Sequence, residues 1–176
     1  MATELVQLMQ RFVANASVTS SAVRQGPRAV QGVAHAAIEF LCGMDVAAIV
    51  DPEAFPKILD AQTELLKHSL PEGARYWGRA RKCLNIFLRE ASYNALLRTT
   101  FGLGVLDALL ETPLDSRVAE GLRRDGGAGR VPKWTSIIAL TAEQNAIYQA
   151  VAAEVAHRLH NTHRANLDLW YWRPSR

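Results

Sequence analysis

The side chains with the greatest chemical potential in this sequence gather in one stretch. Between residues 75 and 89 stand Arg75, Arg79, Arg81, Lys82 and Arg89, with no acidic residue among them. The 176-residue chain carries 20 Lys and Arg against 17 Asp and Glu, a net charge of only +3. Its distribution is uneven: residues 1–70 hold five basic and seven acidic side chains, residues 71–176 fifteen and ten. A basic stretch on a near-neutral protein fits either an anionic partner or a solvated helix face. Pro71-Glu72-Gly73 ends one predicted helix and Gly78 precedes the next. Basic residues at such a helix N-terminus suit a phosphate, because free backbone N–H groups and the positive dipole end point at the anion. A second point of interest is Asp115, in Pro113-Leu114-Asp115-Ser116-Arg117-Val118. It stands where a helix N-cap belongs, which fixes the direction of its carboxylate.

The elements that must position these groups are helical. Leu84, Phe87, Leu88 and Ala91 recur at i, i+3, i+4 and i+7 and predict a helix over 79–93. Its other side carries Lys82 with Arg79, Asn85, Ile86 and Arg89. Further helices are predicted over 3–14, 29–42, 52–69, 103–110, 116–124, 134–140 and 142–160. Asp51-Pro52 reads as an N-cap with proline at the first helical position, and Thr141 with Gln144 as a capping box. Residues 123–132 form a glycine-rich loop bearing Arg123, Arg124 and Arg130, followed by Lys133 and Trp134. With no alternating β-branched run, the expected fold is all-α, a compact helical bundle in a single domain. Residues 1–70 form a lobe closing the core, 71–125 carry the basic hairpin and Asp115, and 126–176 supply the C-terminal helices.

Several function classes find no support. Cys42 and Cys83 have no metal-ligand or disulfide spacing and read as buried thiols of a reducing compartment. Residues 3–14 contain Glu4 and Arg11 and lack the apolar core of a signal peptide. The most apolar stretch, 33–50, is interrupted by His35, Glu39, Gly43 and Asp45, which does not suit a membrane span. A cytoplasmic monomer is the expectation. His157 and His160 are an i, i+3 pair, but no carboxylate or cysteine completes a metal site at helical spacing. Neither a metal nor another cofactor is expected, and there is no phosphate loop, serine elbow or dinucleotide fingerprint.

The segment Trp77-Gly78-Arg79-Ala80-Arg81-Lys82-Cys83-Leu84-Asn85 resembles the hairpin and second helix of the helix-hairpin-helix DNA glycosylase superfamily. Pro113-Leu114-Asp115, leading into a helix with Val118 near its start, is similar to the second half of that family's pattern. The sequence departs from it at Ala80, in place of the second turn glycine, and at Arg117, in place of a histidine or similar group. Thirty-three residues separate Lys82 from Asp115, a long spacing closest to the archaeal 8-oxoguanine glycosylases. The similarity covers roughly residues 70–125.

The resemblance implies a helix-hairpin-helix-like element and the excision of a damaged or modified base from double-stranded DNA. Asp115 would stabilise the oxocarbenium-like sugar. Lys82 would be either the nucleophile of a bifunctional glycosylase-lyase, its pKa lowered by neighbouring cations, or a phosphate contact in a monofunctional enzyme. Gly78, Arg79, Arg81, Arg89, Arg117, Arg130 and Lys133 would face DNA. A flipped base needs an aromatic pocket, with Trp77, Trp134 and Trp172 as candidates and Asp168 reading a base edge. The substrate would be 8-oxoguanine or a hypermodified cytosine of phage DNA. The alternative is a non-enzymatic helical module binding DNA or a protein through the same basic face.

Overall fold

The computed structural model describes residues 2–20 and 30–173. They form α1 (Ala2–Ser20), α2 (Val33–Gly43), α3 (Phe55–Ser69), α4 (Trp77–Tyr93), α5 (Ala95–Phe101), α6 (Ser116–Gly126), α7 (Ala142–His160) and α8 (Leu167–Tyr171). Short 3-10 turns link them, and no strand occurs among the described residues. The fold is therefore an all-α bundle. Among the described residues no helix is long and apolar enough to cross a membrane.

Local chemistry explains most boundaries. α7 begins at the capping box, with the Gln144 amide N–H donating to Thr141 Oγ1 and Thr141 N–H to Gln144 Oε1. α3 starts at Phe55 and not at Pro52, because the Asp51 carboxylate first takes the N–H groups of Glu53 and Ala54 in a turn. α1 runs past residue 14 to Ser20, burying Ser17 and Val18, with the Ser17 hydroxyl donating back to Val13. α2 starts at Val33; its expected start at residue 29 lies outside the described residues. Asn94 caps α5 through the Leu97 N–H.

Two expected helices are not α-helical. Over 103–110 there is only a 3-10 turn, Leu103–Leu106, entered through Gly102 at φ 69°. The carbonyls of Leu109 and Leu110 accept from the Arg164 guanidinium. Over 134–140 there is only the turn Ile137–Ala139. Thr135, Ile137 and Ile138 are β-branched there and disfavour helix, and the segment instead packs across the start of α4, with the Ile137 carbonyl against Gly78.

The apolar interior falls into two clusters. The first gathers α1 to α5, including Val13, Leu41, Phe55, Leu66 and, from α4, Ala80, Cys83, Leu84, Phe87, Leu88 and Ala91. The second joins Leu114, Val118 and Leu122 to Tyr148, Val151, Val155 and Leu167. Helix α4 lies between them and is buried on every side. Its polar side, expected at the surface, is covered: Arg79, Arg81, Lys82, Asn85 and Arg89 are each below a tenth exposed. Glu111 accounts for two of them, Arg81 and Asn85. Arg81 donates to both its carboxylate oxygens at 2.8 Å, and Asn85 of α4 and Asn145 of α7 donate to Oε2 at 3.0 and 3.1 Å. Gln149 then bonds both the N–H and the carbonyl of Thr112. A polar layer thus cements the two clusters. Burial alone would raise the Glu111 carboxyl, but Arg81 and the two asparagines hold it below the ordinary value of 4.5.

This packing makes three outcomes testable. Removing one partner of a buried pair strands the other charge, so Glu111→Ala should cost about 3–5 kcal/mol in urea unfolding. Because the folded pKa is depressed, Glu111 contributes its full stability above pH 4.5 and loses it as pH falls through the folded value. Glu111→Gln should therefore flatten the acid limb of the stability profile. A Cβ on Gly78 would meet the Ile137 carbonyl at 2.1 Å, so Gly78→Ala should destabilise by about 1–3 kcal/mol.

Candidate functional site

Lys82 and Asp115, 33 residues apart, meet at the seam between the two clusters. Lys82 Nζ donates to Asp115 Oδ2 at 3.1 Å, with both side chains largely buried. Asp115 caps α6: its Oδ1 accepts the Val118 N–H at 3.0 Å. The same Oδ2 accepts a third donor, the Trp172 indole Nε1, at 3.0 Å. Two rigid helix positions and one aromatic ring therefore fix the carboxylate.

The C-terminal turn completes the site. Gly121 of α6 has no side chain to block Tyr171, whose ring lies where a Cβ would stand. That close approach seats α8 on α6 and brings Trp172 to Asp115. Arg117 lies over the Trp172 ring at 4.2 Å from its centroid. On the α4 side, Arg89 pairs with Asp168 and with Glu90. Burial pushes the Asp168 carboxyl up; Arg89 pulls it down without cancelling the effect, and nearby Asp115 adds to the rise. Lys82, Arg89 and Arg117 thus stand among three carboxylates, Asp115, Asp168 and Glu90, so the cluster is formally balanced in charge. Asp168 Oδ1 is buried and has no hydrogen-bond partner among the described residues.

Six of the residues expected at the site from sequence stand together: Lys82, Asp115, Arg117, Asp168, Trp172 and Arg89, the last as the link to Asp168. Others do not join them. Gly78 is not a turn glycine. The glycines of positive φ among the described residues are Gly32, Gly102 and Gly127, and Gly78 is pressed under Ile137, so its backbone does not face a phosphate. Arg81 is spent on Glu111, Asp60 and Thr63 in the interior, and Arg79 is buried beside the Tyr76 ring. The connection from α3 to α4 contains the 3-10 turn Glu72–Ala74 in place of the expected glycine hairpin. Trp134 packs edge-on to Tyr148 in the second cluster. Trp77 lies under the Arg81 guanidinium, beside a separate cavity of about 230 Å³ lined by Asp60, Glu111, Asn145 and Arg164. Arg130 pairs with Glu154 on the surface, and Lys133 is exposed.

Glu111, which organises the interior behind the site, was not singled out by sequence reasoning. Its one signal is an acidic residue directly after an apolar stretch and before Thr112-Pro113. His160 stacks on Trp170 at 4.4 Å, and among the described residues no group of three or more His, Cys, Asp or Glu could hold a metal ion. Comparison with family models, curated proteins and solved structures finds no match to this chain.

The chemistry of this cluster is that of a lysine and a carboxylate held in proton-transfer contact in partly dry surroundings. A double-mutant cycle of Lys82→Met with Asp115→Asn should read a coupling of about 0.5–3 kcal/mol in equilibrium unfolding. Additive effects would mean that the contact contributes no net coupling.

Proposed function

We propose that this protein is a DNA glycosylase that excises a damaged or modified base, with Asp115 and Lys82 as its catalytic residues. The observation that carries the reading is the 3.1 Å contact between Lys82 Nζ and Asp115 Oδ2, in the order and on the helix positions that the resemblance assigns them. An N-glycosidic bond breaks through a cationic sugar, and a carboxylate held in one direction stabilises that charge without reorganising. The Val118 N–H provides that hold on Asp115.

Lys82 gives the reaction its second course. An ammonium cannot attack carbon, so its proton must leave first, and Asp115 is the acceptor in contact. The freed amine then bonds to C1′ as the C1′–base bond breaks. The base departs with that electron pair and takes the proton Asp115 had received, which restores the carboxylate. The C1′–O4′ bond then opens, the amine proton passing through Asp115 to O4′, and leaves the imine that borohydride reduces. In a monofunctional enzyme Asp115 instead orients a water toward C1′ and Lys82 remains a cation. Arg117 adds positive charge beside the site, Arg89 is the buried link to Asp168, and Arg130 and Lys133 are further surface cations for the phosphate backbone. Trp172 and Asp168 are the nearest groups to receive a flipped base.

The test is incubation of the purified protein with duplexes holding an unmodified base, 8-oxoguanine or glucosylated hydroxymethylcytosine, followed by alkali to reveal abasic sites. Release from one modified duplex, lost in Asp115→Asn, is the expected result. Borohydride should trap a covalent adduct that Lys82→Ala abolishes if the enzyme is bifunctional. Steeply salt-dependent DNA binding without release from any duplex would favour a non-enzymatic binding module.

A further inference from the structure

We propose that the indole of Trp172 is a gate on the Lys82–Asp115 pair, closed in this structure and displaced when a ligand reaches Asp115. The Oδ2 oxygen of Asp115, with two donors on its two lone pairs, has no spare position. Oδ1 is held by the Val118 N–H, and Oδ2 is shared by Lys82 Nζ and Trp172 Nε1. A ligand atom that needs Oδ2 must replace Lys82 Nζ or Trp172 Nε1, and these differ in what their loss costs. The Val118 N–H belongs to the first turn of α6. Lys82 stands on α4, at the centre of the molecule, and is 8 % exposed; a buried ammonium stripped of its partner is costly. Trp172 is half exposed and follows the five-residue helix α8, so its N–H can pass to water at little cost. It is the donor that yields.

The surroundings let the indole move without undocking the segment. α8 is anchored upstream by the Asp168–Arg89 pair and by Tyr171 against Gly121. Beyond it, Arg173 lies over Trp170 and not over Trp172. Arg117, the group stacked on the Trp172 ring, is itself exposed and can follow it or turn to solvent. When the ring leaves, Asp115 Oδ2 gains an open side, Lys82 Nζ is uncovered next to it, and Arg117 offers a cation to an incoming anion. A ligand fitting that vacancy brings a hydrogen-bond donor or a positive carbon to Oδ2 and an anionic group to Arg117. A nucleotide sugar with its phosphate has both. That identification of the ligand rests on the proposed function; the gate does not.

Lys82 reports the gate directly. The chain has four lysines, of which Lys57 and Lys133 are exposed, Lys67 is half-buried against Glu64, and Lys82 is buried. Reductive methylation with formaldehyde and cyanoborohydride, read peptide by peptide by mass spectrometry, gives the rate at Lys82 relative to Lys57 and Lys133. Trp172→Ala should raise that relative rate about fivefold, the factor lost with one ordinary hydrogen bond. Trp172→Phe, which keeps a ring but has no N–H, should also raise it, with Lys67 and the melting temperature unchanged in both. An unchanged Lys82 rate in Trp172→Phe overturns the gate, and so does an unchanged rate in a folded Trp172→Ala. If Trp172→Ala unfolds, all four lysines react alike and Trp172→Phe alone decides. Raised labelling without base release on the three duplexes keeps the gate and removes the glycosylase. Base release with unchanged labelling does the reverse.

Discussion

The buried pair between Arg81 and Glu111 is the constraint on which the rest of this structure depends. A carboxylate inside a protein is tolerable only when its lone pairs are filled, and here the donors come from α4 and α7. Satisfying Glu111 therefore fixes how the two apolar clusters meet. Two clusters of apolar side chains could slide past one another with little change in buried area. A carboxylate with four directional hydrogen bonds cannot.

The candidate site is a by-product of that fixed seam. Glu111 and Asp115 stand four residues apart on one connection, and Arg81 and Lys82 are neighbours on α4. Once Arg81 is locked onto Glu111, the next residue of α4 is brought to Asp115. The pair that looks functional is thus held by an adjacent pair that looks structural. The separation of roles is a matter of access: Glu111 is fully committed inside the layer, while Asp115 also takes a donor from a half-exposed tryptophan.

The sequence was most legible where one local signal sufficed. The capping box placed α7, the apolar stripe of α4 predicted its core-facing side, and the N-cap character of Asp115 is present as read. Periodicity was least informative about the polar side of α4. A run of Arg79, Arg81, Lys82 and Arg89 reads as a solvated or DNA-facing surface, because buried charge depends on partners far along the chain. Those partners are Glu111 and Asp168, 30 and 79 residues from the arginines they meet. Gly78 carried a similar ambiguity: a glycine before a basic helix reads as a turn, whereas here it makes room for the crossing of residues 137–140. The short α8 offers too few residues to show a period, yet it and the residue after it supply Asp168 and Trp172 of the site.

The docking of α8 also bears on the order in which the molecule assembles. Its contacts reach back to Arg89, Asp115 and Gly121, three places that adjoin only after α4 and α6 are in position. Closing such long loops costs entropy that is recovered only when the receiving surface already exists. The segment therefore adds late and, with an exposed outer face at Leu169, Trp170 and Trp172, opens more readily than the interior it covers. A nascent or damaged copy whose central layer has not set would lack the whole arrangement around Asp115.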